Sequence, residues 1–402
     1  MKLNTIRWSA VAIAAILVLP LASVARADFE QAMNYFKSGK YVEAAAEFQT
    51  LVDNSPNYDS GYYMLGLCLL QMKKPAEAES NFQKAIEING EKFEYHHGLG
   101  RAYLDQKQHS KAVAALKTAE PLAANNDQSK FALFTLRGYA YSALEAWGDA
   151  VEDLEKAKAI KKDASVMAQL GKAYYGLGHN DKAVPAFREA VKLRPNDAGS
   201  TQLLANALIN VGAEAKNDSA SASAYKEALQ VAESYLKMRP NSYEANNLVG
   251  RAALGARSFD RAEQAFRKVL AQKSDYCYAM VNLGKTYIAK QRWANAEEIL
   301  DDAAQCAPRM ALVYENLGFV IEKQKRLEEA IEKYNKSNEL KPSASVTRAI
   351  ARCQENIQVR DHNEAMAEAE AQQKAEEEAA RREYEEAKAK EEEWKKRRER
   401  DQ

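Results

Sequence analysis

At 402 residues the chain is long enough for two or three compact domains, so its internal pattern has to decide how it is divided. A content of 46% hydrophobic residues is enough for a continuous core, and 28% charged residues with only 9 Pro and 17 Gly point to a helical soluble protein rather than a sheet-rich or disordered one. Lys+Arg and Asp+Glu number 57 each, a balance without the strongly basic surface of a nucleic-acid binder.

The first residues carry the marks of an export signal. Lys2 and Arg7 are positive, Trp8 to Ala22 is apolar, and Ala25-Arg26-Ala27 supplies small residues at cleavage positions, so residues 1–27 are expected to be a signal peptide. The alternative is an uncleaved membrane anchor, since Ile6 to Val24 is roughly long enough to span a bilayer despite Pro20. Cleavage before Asp28 leaves the remaining chain with a net charge near −3. The expected location is therefore exported: periplasmic if the source is a Gram-negative bacterium, otherwise secreted or membrane-anchored.

Beyond Asp28 the sequence repeats itself. Leu65-Gly66 leads to Ala78, Phe82 and Ala85; Leu170-Gly171 leads through Tyr174 to Ala183, Phe187, Ala190 and Pro195; Leu317-Gly318 leads to Ala330, Tyr334 and Pro342. The period is about 34 residues. Such spacing suits helical hairpins, in which small residues such as Gly100 and Ala112 allow close crossing while Tyr103 and Phe266 fill the holes alongside. Pro56, Pro195, Pro240, Pro308 and Pro342 fall at the ends of copies, where one helix stops and the next begins.

On these residues the chain resembles the tetratricopeptide repeat family from about Asp28 to Ala344, with about nine copies: 28–58, 59–92, 93–126, 131–163, 164–197, 198–242, 243–276, 277–310 and 311–344. The resemblance implies an all-α fold, a right-handed superhelical solenoid of stacked hairpins, in which each hairpin shields the apolar side of the next. Two irregularities interrupt the register. Around Asn125-Asn126-Asp127 it slips by about four residues at a polar break before Phe131, and near 213–224 about eleven residues are inserted, forming either a longer helix pair or a protruding loop. Pro185, inside a second helix, is expected to bend it locally.

After Pro342, residues 345–360 keep apolar spacing through Val346, Ala349, Ile350 and Cys353 and are expected to cap the last repeat. Residues 361–402 form a charged tail, acidic by about five charges, in which Glu370 and Lys374, Glu377 and Arg381, and Glu391 and Lys395 are spaced to support a helix without a core. A thin stripe of Ala380, Tyr384, Ala387 and Trp394 is interrupted by Glu391, so coiled-coil pairing through it is expected to be weak, and the bland reading is a solvated helix. Oligomerisation, if present, is expected through this helix.

Signals for chemistry are absent. The 5 His show no zinc spacing, the Gly284-Lys285-Thr286 run lacks the first Gly of a phosphate loop and lies on a repeat helix, and no G-x-S-x-G turn occurs. No enzyme activity, cofactor or metal is expected. Cys68, Cys277, Cys306 and Cys353 also lack metal spacing; Cys277 and Cys306 would lie at the same end of one hairpin, within reach of a bridge.

The family resemblance implies that the concave face, built from the first helix of each copy, holds an extended protein or peptide segment. One position per copy gives Arg101, Tyr139, Lys172, Asn206, Arg251, Lys285 and Phe319, with His97, Tyr175, Asn247, Asn282 and Asn316 beside them. Their amides are suited to bonding a peptide backbone. Members that clamp a terminal carboxylate use Lys and Asn at matching positions, a pattern met only in fragments around Asn247, Arg251, Asn282 and Lys285. The competing reading is the wet lining of a solenoid. The expected partner is protein, with no nucleic acid, and a membrane only if the signal segment stays uncleaved.

Overall fold

A computed structural model describes residues 23–123 and 126–400, with side chains from Phe29 onward. The expected signal peptide lies outside them, apart from the backbone of 23–27, which opens the first helix. Also outside are Asn125 in the polar break and the last two residues of the tail.

The described residues form nineteen α-helices and no strand. Sixteen of them, from α1 (Ser23–Lys37) and α2 (Tyr41–Asn54) to α17 (Ala311–Lys323) and α18 (Leu327–Leu340), pair as eight hairpins; α11 (Ala198–Glu214) and α12 (Asp218–Met238) come between the fifth and sixth of these in the chain, and α19 (Ala344–Arg400) follows. The chain divides into two compact units, Met1–Val211 and Gly212–Gln402.

Seven hairpins close on one recurring contact. A Cβ added to Gly66 on α3 (Asp59–Gln71) would lie 2.7 Å from Phe82 on α4 (Pro75–Ile88), and Gly100, Gly138, Gly171, Gly250, Gly284 and Gly318 meet Leu116, Leu154, Phe187, Phe266, Leu300 and Tyr334 in the same way, always sixteen residues on. The small residue thus makes a socket for the large one. One turn before each large side chain stands a fully buried alanine, as with Ala78, Ala112, Ala183, Ala262, Ala296 and Ala330. Between the helices of eight hairpins one residue adopts the left-handed conformation: Gly39, Lys73, Lys107, Glu145, Gly178, Arg257, Gln291 and Lys325. Only two of these are glycine, so the other six carry a small conformational cost that hairpin packing outweighs.

Helix ends follow local chemistry. Each of the five prolines singled out in the sequence stands two residues past a helix end, as Pro195 does after α10 (Asn180–Leu193). Pro185 leaves α10 unbroken. Asn126 accepts bonds from the Gln128 and Ser129 amides at 2.9 and 3.1 Å and so starts α7 (Asp127–Ala143), four residues ahead of Phe131. The polar residues there therefore cap a helix.

The inserted residues lengthen two helices and make no loop. α11 (Ala198–Glu214) has 17 residues where most first helices have 13, and α12 (Asp218–Met238) has 21 where most second helices have 14. The additions amount to about one and two whole turns, which keeps the apolar faces in phase. Within the second unit Tyr225 of the extension packs against Gly212, where an added Cβ would come within 2.8 Å of its ring, and against Gly255 at the end of α13 (Tyr243–Gly255).

In the eighth copy, within the second unit, Cys277 on α15 (Cys277–Ala289) and Cys306 on α16 (Trp293–Cys306) form a disulfide, their Cα atoms 5.7 Å apart. Cys68 and Cys353 are free and buried. The cap and the charged tail, read from sequence as two segments, are one continuous helix. Its start buries Val346, Ala349 and Cys353 against Ile321, Ala330 and Tyr334, and from Asp361 to Arg400 every residue is exposed.

Candidate functional site

Within each unit the first helices of successive hairpins approach one another more closely than the second helices do: α3, α5 (Phe93–Asp105), α7 and α9 (Ala164–Gly176) in one, α13, α15 and α17 in the other. The repeat register puts seven of the twelve candidate residues at one equivalent place on these helices and on α11, and the other five beside it. They fall into two groups, one per unit, each described alone.

In the first unit, His97 is half-buried, stacks on Phe93 with centroids 5.3 Å apart and is hydrogen-bonded to the Ala132 backbone of α7. Burial, then the Arg101 charge, lowers its pKa to about 4, so the ring is neutral and fastens α5 to α7. Arg101 is half-buried, and its charge acts on both His97 and Tyr63. Tyr139 is half-buried, and burial raises its hydroxyl to about 12 against the opposing effect of a bond to Ser165. Lys172 is exposed, Tyr175 accepts a bond from Asn210 Nδ2 at 3.4 Å, and Asn206 Nδ2 donates to the Gln202 carbonyl of its own helix at 3.1 Å.

In the second unit, Asn247 is half-buried and its Oδ1 is enclosed without any hydrogen-bond donor. Arg251, half-buried, acts electrostatically on Tyr225. Lys285 is half-buried too; burial lowers its pKa, with the Glu315 carboxylate opposing. Asn282 is half-buried beside it in register, whereas Asn316 turns its amide onto the Leu312 carbonyl at 2.6 Å. Phe319 packs edge-on against Trp293 at 6.3 Å, with Lys323 over its ring at 5.2 Å. Two of the four candidate asparagines, Asn206 and Asn316, thus donate to their own helices, while Asn247 retains an unmatched acceptor.

Other polar groups were not singled out in the sequence. Arg137 stands where other copies have the Leu of Leu-Gly, and it is buried with Asp153 on α8 (Trp147–Ile160): Nε and Nη2 donate to the carboxylate at 2.6 and 2.9 Å, and Nη1 reaches Glu120 at 2.6 Å. The signal available was the one copy lacking an apolar residue before its Gly. On the opposite side of the hairpins, acids of one second helix reach the turn of the next hairpin at a fixed offset. Glu79 accepts from Gln106, Glu263 from Lys290 and Arg292, and Glu297 from Gln324 and Arg326.

Among the described residues no group of three or more His, Cys, Asp or Glu is placed to hold a metal ion, and no helix is long and apolar enough to cross a membrane. What the first-helix faces offer is amides, cations and aromatic rings at regular spacing, which is recognition chemistry and contains no nucleophile and base in partnership.

Three family models, each described as tetratricopeptide repeat, match residues 69–132 and 253–315, 29–92 and 217–276, and 164–197. Among curated proteins, the chain is 23% identical over 299 residues to the BBSome complex member bbs-4 of Caenorhabditis elegans, covering 71% of this chain and 61% of that protein. It is 22% identical over 223 residues to the protein O-mannosyl-transferase TMTC1 of Homo sapiens, 49% of this chain and 25% of that one. The chain therefore spans less than two thirds of either relative. Among solved structures, the C-terminal part of a TPR repeat-containing protein from Cytophaga hutchinsonii aligns at 21% identity with a TM-score of 0.49, covering 63% of this chain and 99% of that one. Because the matched segments together take in more than half of the residues and follow the hairpins described above, the chain belongs to the tetratricopeptide repeat family, whose members generally mediate protein–protein interaction.

Proposed function

We propose that this protein is an exported, non-catalytic scaffold that holds a protein segment against the faces formed by its first helices. The observation that carries this reading is the enclosed Asn247 Oδ1 without a donor, one turn before Arg251 on its helix, with Lys285 at the place equivalent to Arg251 on the next first helix and Asn282 beside it. A buried acceptor left unmatched costs free energy. A backbone N–H from a bound segment, met by a turn of the Asn247 amide, would relieve that cost, and the desolvated Lys285 amine would gain from a carboxylate on the same segment. Export is supported by the basic, apolar and A-x-A order of the N-terminus and by the Cys277–Cys306 pair, since such bonds persist mainly in oxidising compartments.

Charge reversal at Arg251 and Lys285 tests the reading. The Arg251→Glu, Lys285→Glu variant should capture envelope proteins at least about tenfold less well, at unchanged helicity, as expected when charge-assisted bonds become repulsions. Capture equal to that of the unaltered chain would remove the assignment. A second reading, in which the charged helix joins another chain during assembly, is favoured by the full exposure of α19 from Asp361 to Arg400. Deleting the residues after Asp361 separates the two, because capture survives under the scaffold reading and is lost under the assembly reading.

A further inference from the structure

The distal part of α19 carries a polarity that neither the repeats nor its own helix explains. Its last ion pair to the repeats joins Arg360 to Glu328 at 2.7 Å, and the forty residues beyond, about 60 Å of helix, stand clear of every neighbour. Residues 361–378 hold seven carboxylates against one cation, Lys374, whereas residues 395–400 hold five cations against one carboxylate, Glu399. A solvated helix would be served equally well by mixed charge, and it has such support locally in the Glu391–Lys395 and Glu393–Arg397 pairs. The helix dipole accounts for cations in the last turn. It does not account for the acidic stretch, because α19 begins at Ala344 and the dipole's influence fades within the first turn. Nor can the two poles meet within one chain, since a continuous helix holds them roughly 40 Å apart, several screening lengths in physiological salt.

From Val359 onward the helix exposes large apolar side chains: Val359 at 54%, Met366 at 50%, Tyr384 at 71% and Trp394 at 58%. Val359, Met366, Ala380, Ala387 and Trp394 are separated by multiples of seven residues and so share one stripe of the helix.

We infer that residues 361–400 pair antiparallel with the same segment of a second copy of this chain. This rests on the assembly reading of the helix and is independent of the first-helix faces. A two-fold axis beside Ala380 brings Met366 of one copy level with Trp394 of the other, Glu370 with Lys390, and Glu364 with Lys396. The basic end of each copy, residues 395–400, then faces the start of the acidic stretch of its mate, Asp361 and Glu364, and the rest of that stretch faces mixed charge, whereas a parallel pair would set seven carboxylates against seven. Helices in contact lie 8–10 Å apart, about one screening length, so the opposed ends attract at physiological salt. Such an arrangement is isologous and closes at two copies. Because Ala and Glu391 make the apolar seam thin, charge carries the association, which is accordingly weak and salt-sensitive.

Sedimentation of the full chain at tens of micromolar should show a dimer at low salt whose dissociation constant rises by about tenfold or more when the salt is raised tenfold. Orientation is read from two variants, Glu364→Cys and Lys396→Cys, in chains whose other free thiols, Cys68 and Cys353, are buried. Mixed together they should cross-link under mild oxidation, and neither should do so alone. A monomer at every salt concentration, or efficient cross-linking of either variant with itself, overturns the pairing. If the monomeric chain nevertheless loses partner capture when the residues after Asp361 are deleted, the helix contacts a different protein: the assembly reading stands and the self-pairing falls.

Discussion

Individual residues in this chain are placed by what they must fit, and the exceptions mark where a repeat has been altered. Arg137 occupies a position that is apolar in neighbouring copies, and its burial is tolerable because Asp153 takes two of its bonds and Glu120 a third. Replacing Arg137 by Leu leaves the Asp153 carboxylate, 4% exposed, without its cation, and should destabilise the first unit by about 3–5 kcal/mol. The double variant Arg137→Leu, Asp153→Ala should recover most of that loss in chemical denaturation. A double variant no more stable than the single one would show that the ion pair is not what the site requires. Pattern reading overlooked this pair because it follows apolar recurrence, and a charge at a core position registers there only as a weaker copy.

His97 makes a second residue-scale prediction. Its folded pKa, near 4, lies below the ordinary histidine value, so between the two the unfolded chain binds the extra proton. The stability it contributes is present above about pH 6.5 and is lost as the pH falls toward 4. Proton NMR of the ring should give a midpoint near 4, and a midpoint near 6.5 would mean that the ring is not enclosed between Phe93 and α7. The left-handed turn residues offer a third test. Gln291→Gly should stabilise the second unit by about 0.5–1 kcal/mol, because glycine adopts that conformation without strain.

Among the elements, the hairpins were the most legible, since a Gly followed sixteen residues later by Phe, Leu or Tyr is itself the close contact between two helices. The insertion was readable in length but not in form. Only the placement of whole turns in α11 and α12, with Tyr225 set against two glycines, decides for helix over loop. The disulfide closes a hairpin of separation 29, and reducing it should cost the second unit about 3–4 kcal/mol by loop entropy. An unchanged melting curve in reductant would contradict that. At the cap, Glu322 binds Arg352 and Tyr334. Burial alone would raise the Glu322 pKa, yet these partners hold it below the usual carboxylate value. The stabilisation is therefore present above that usual value and is lost as the pH falls through the depressed one. Protection from hydrogen exchange at residues 346–353, measured against the intrinsic rate at each pH, should fall in acid, and Glu322→Gln should flatten the dependence.

For the molecule as a whole, sequence made the class of fold plain and the faces of the first helices only addressable by register. It did not reveal which lining groups are spent internally, because that depends on rotamers: Asn206 and Asn316 bond their own helices, His97 bonds the next one, and Asn247 is left with an acceptor to satisfy. The central claim is that partners are held on the first-helix faces. Photo-cross-linking tests it most directly, with a photoreactive residue placed singly at Asn282 or Lys285 on α15 and, for comparison, at Gln264 or Lys268 on the exposed side of α14 (Phe259–Gln272). The account predicts protein adducts from the α15 positions and few from α14. Adducts confined to α14 or to the distal part of α19 would contradict it.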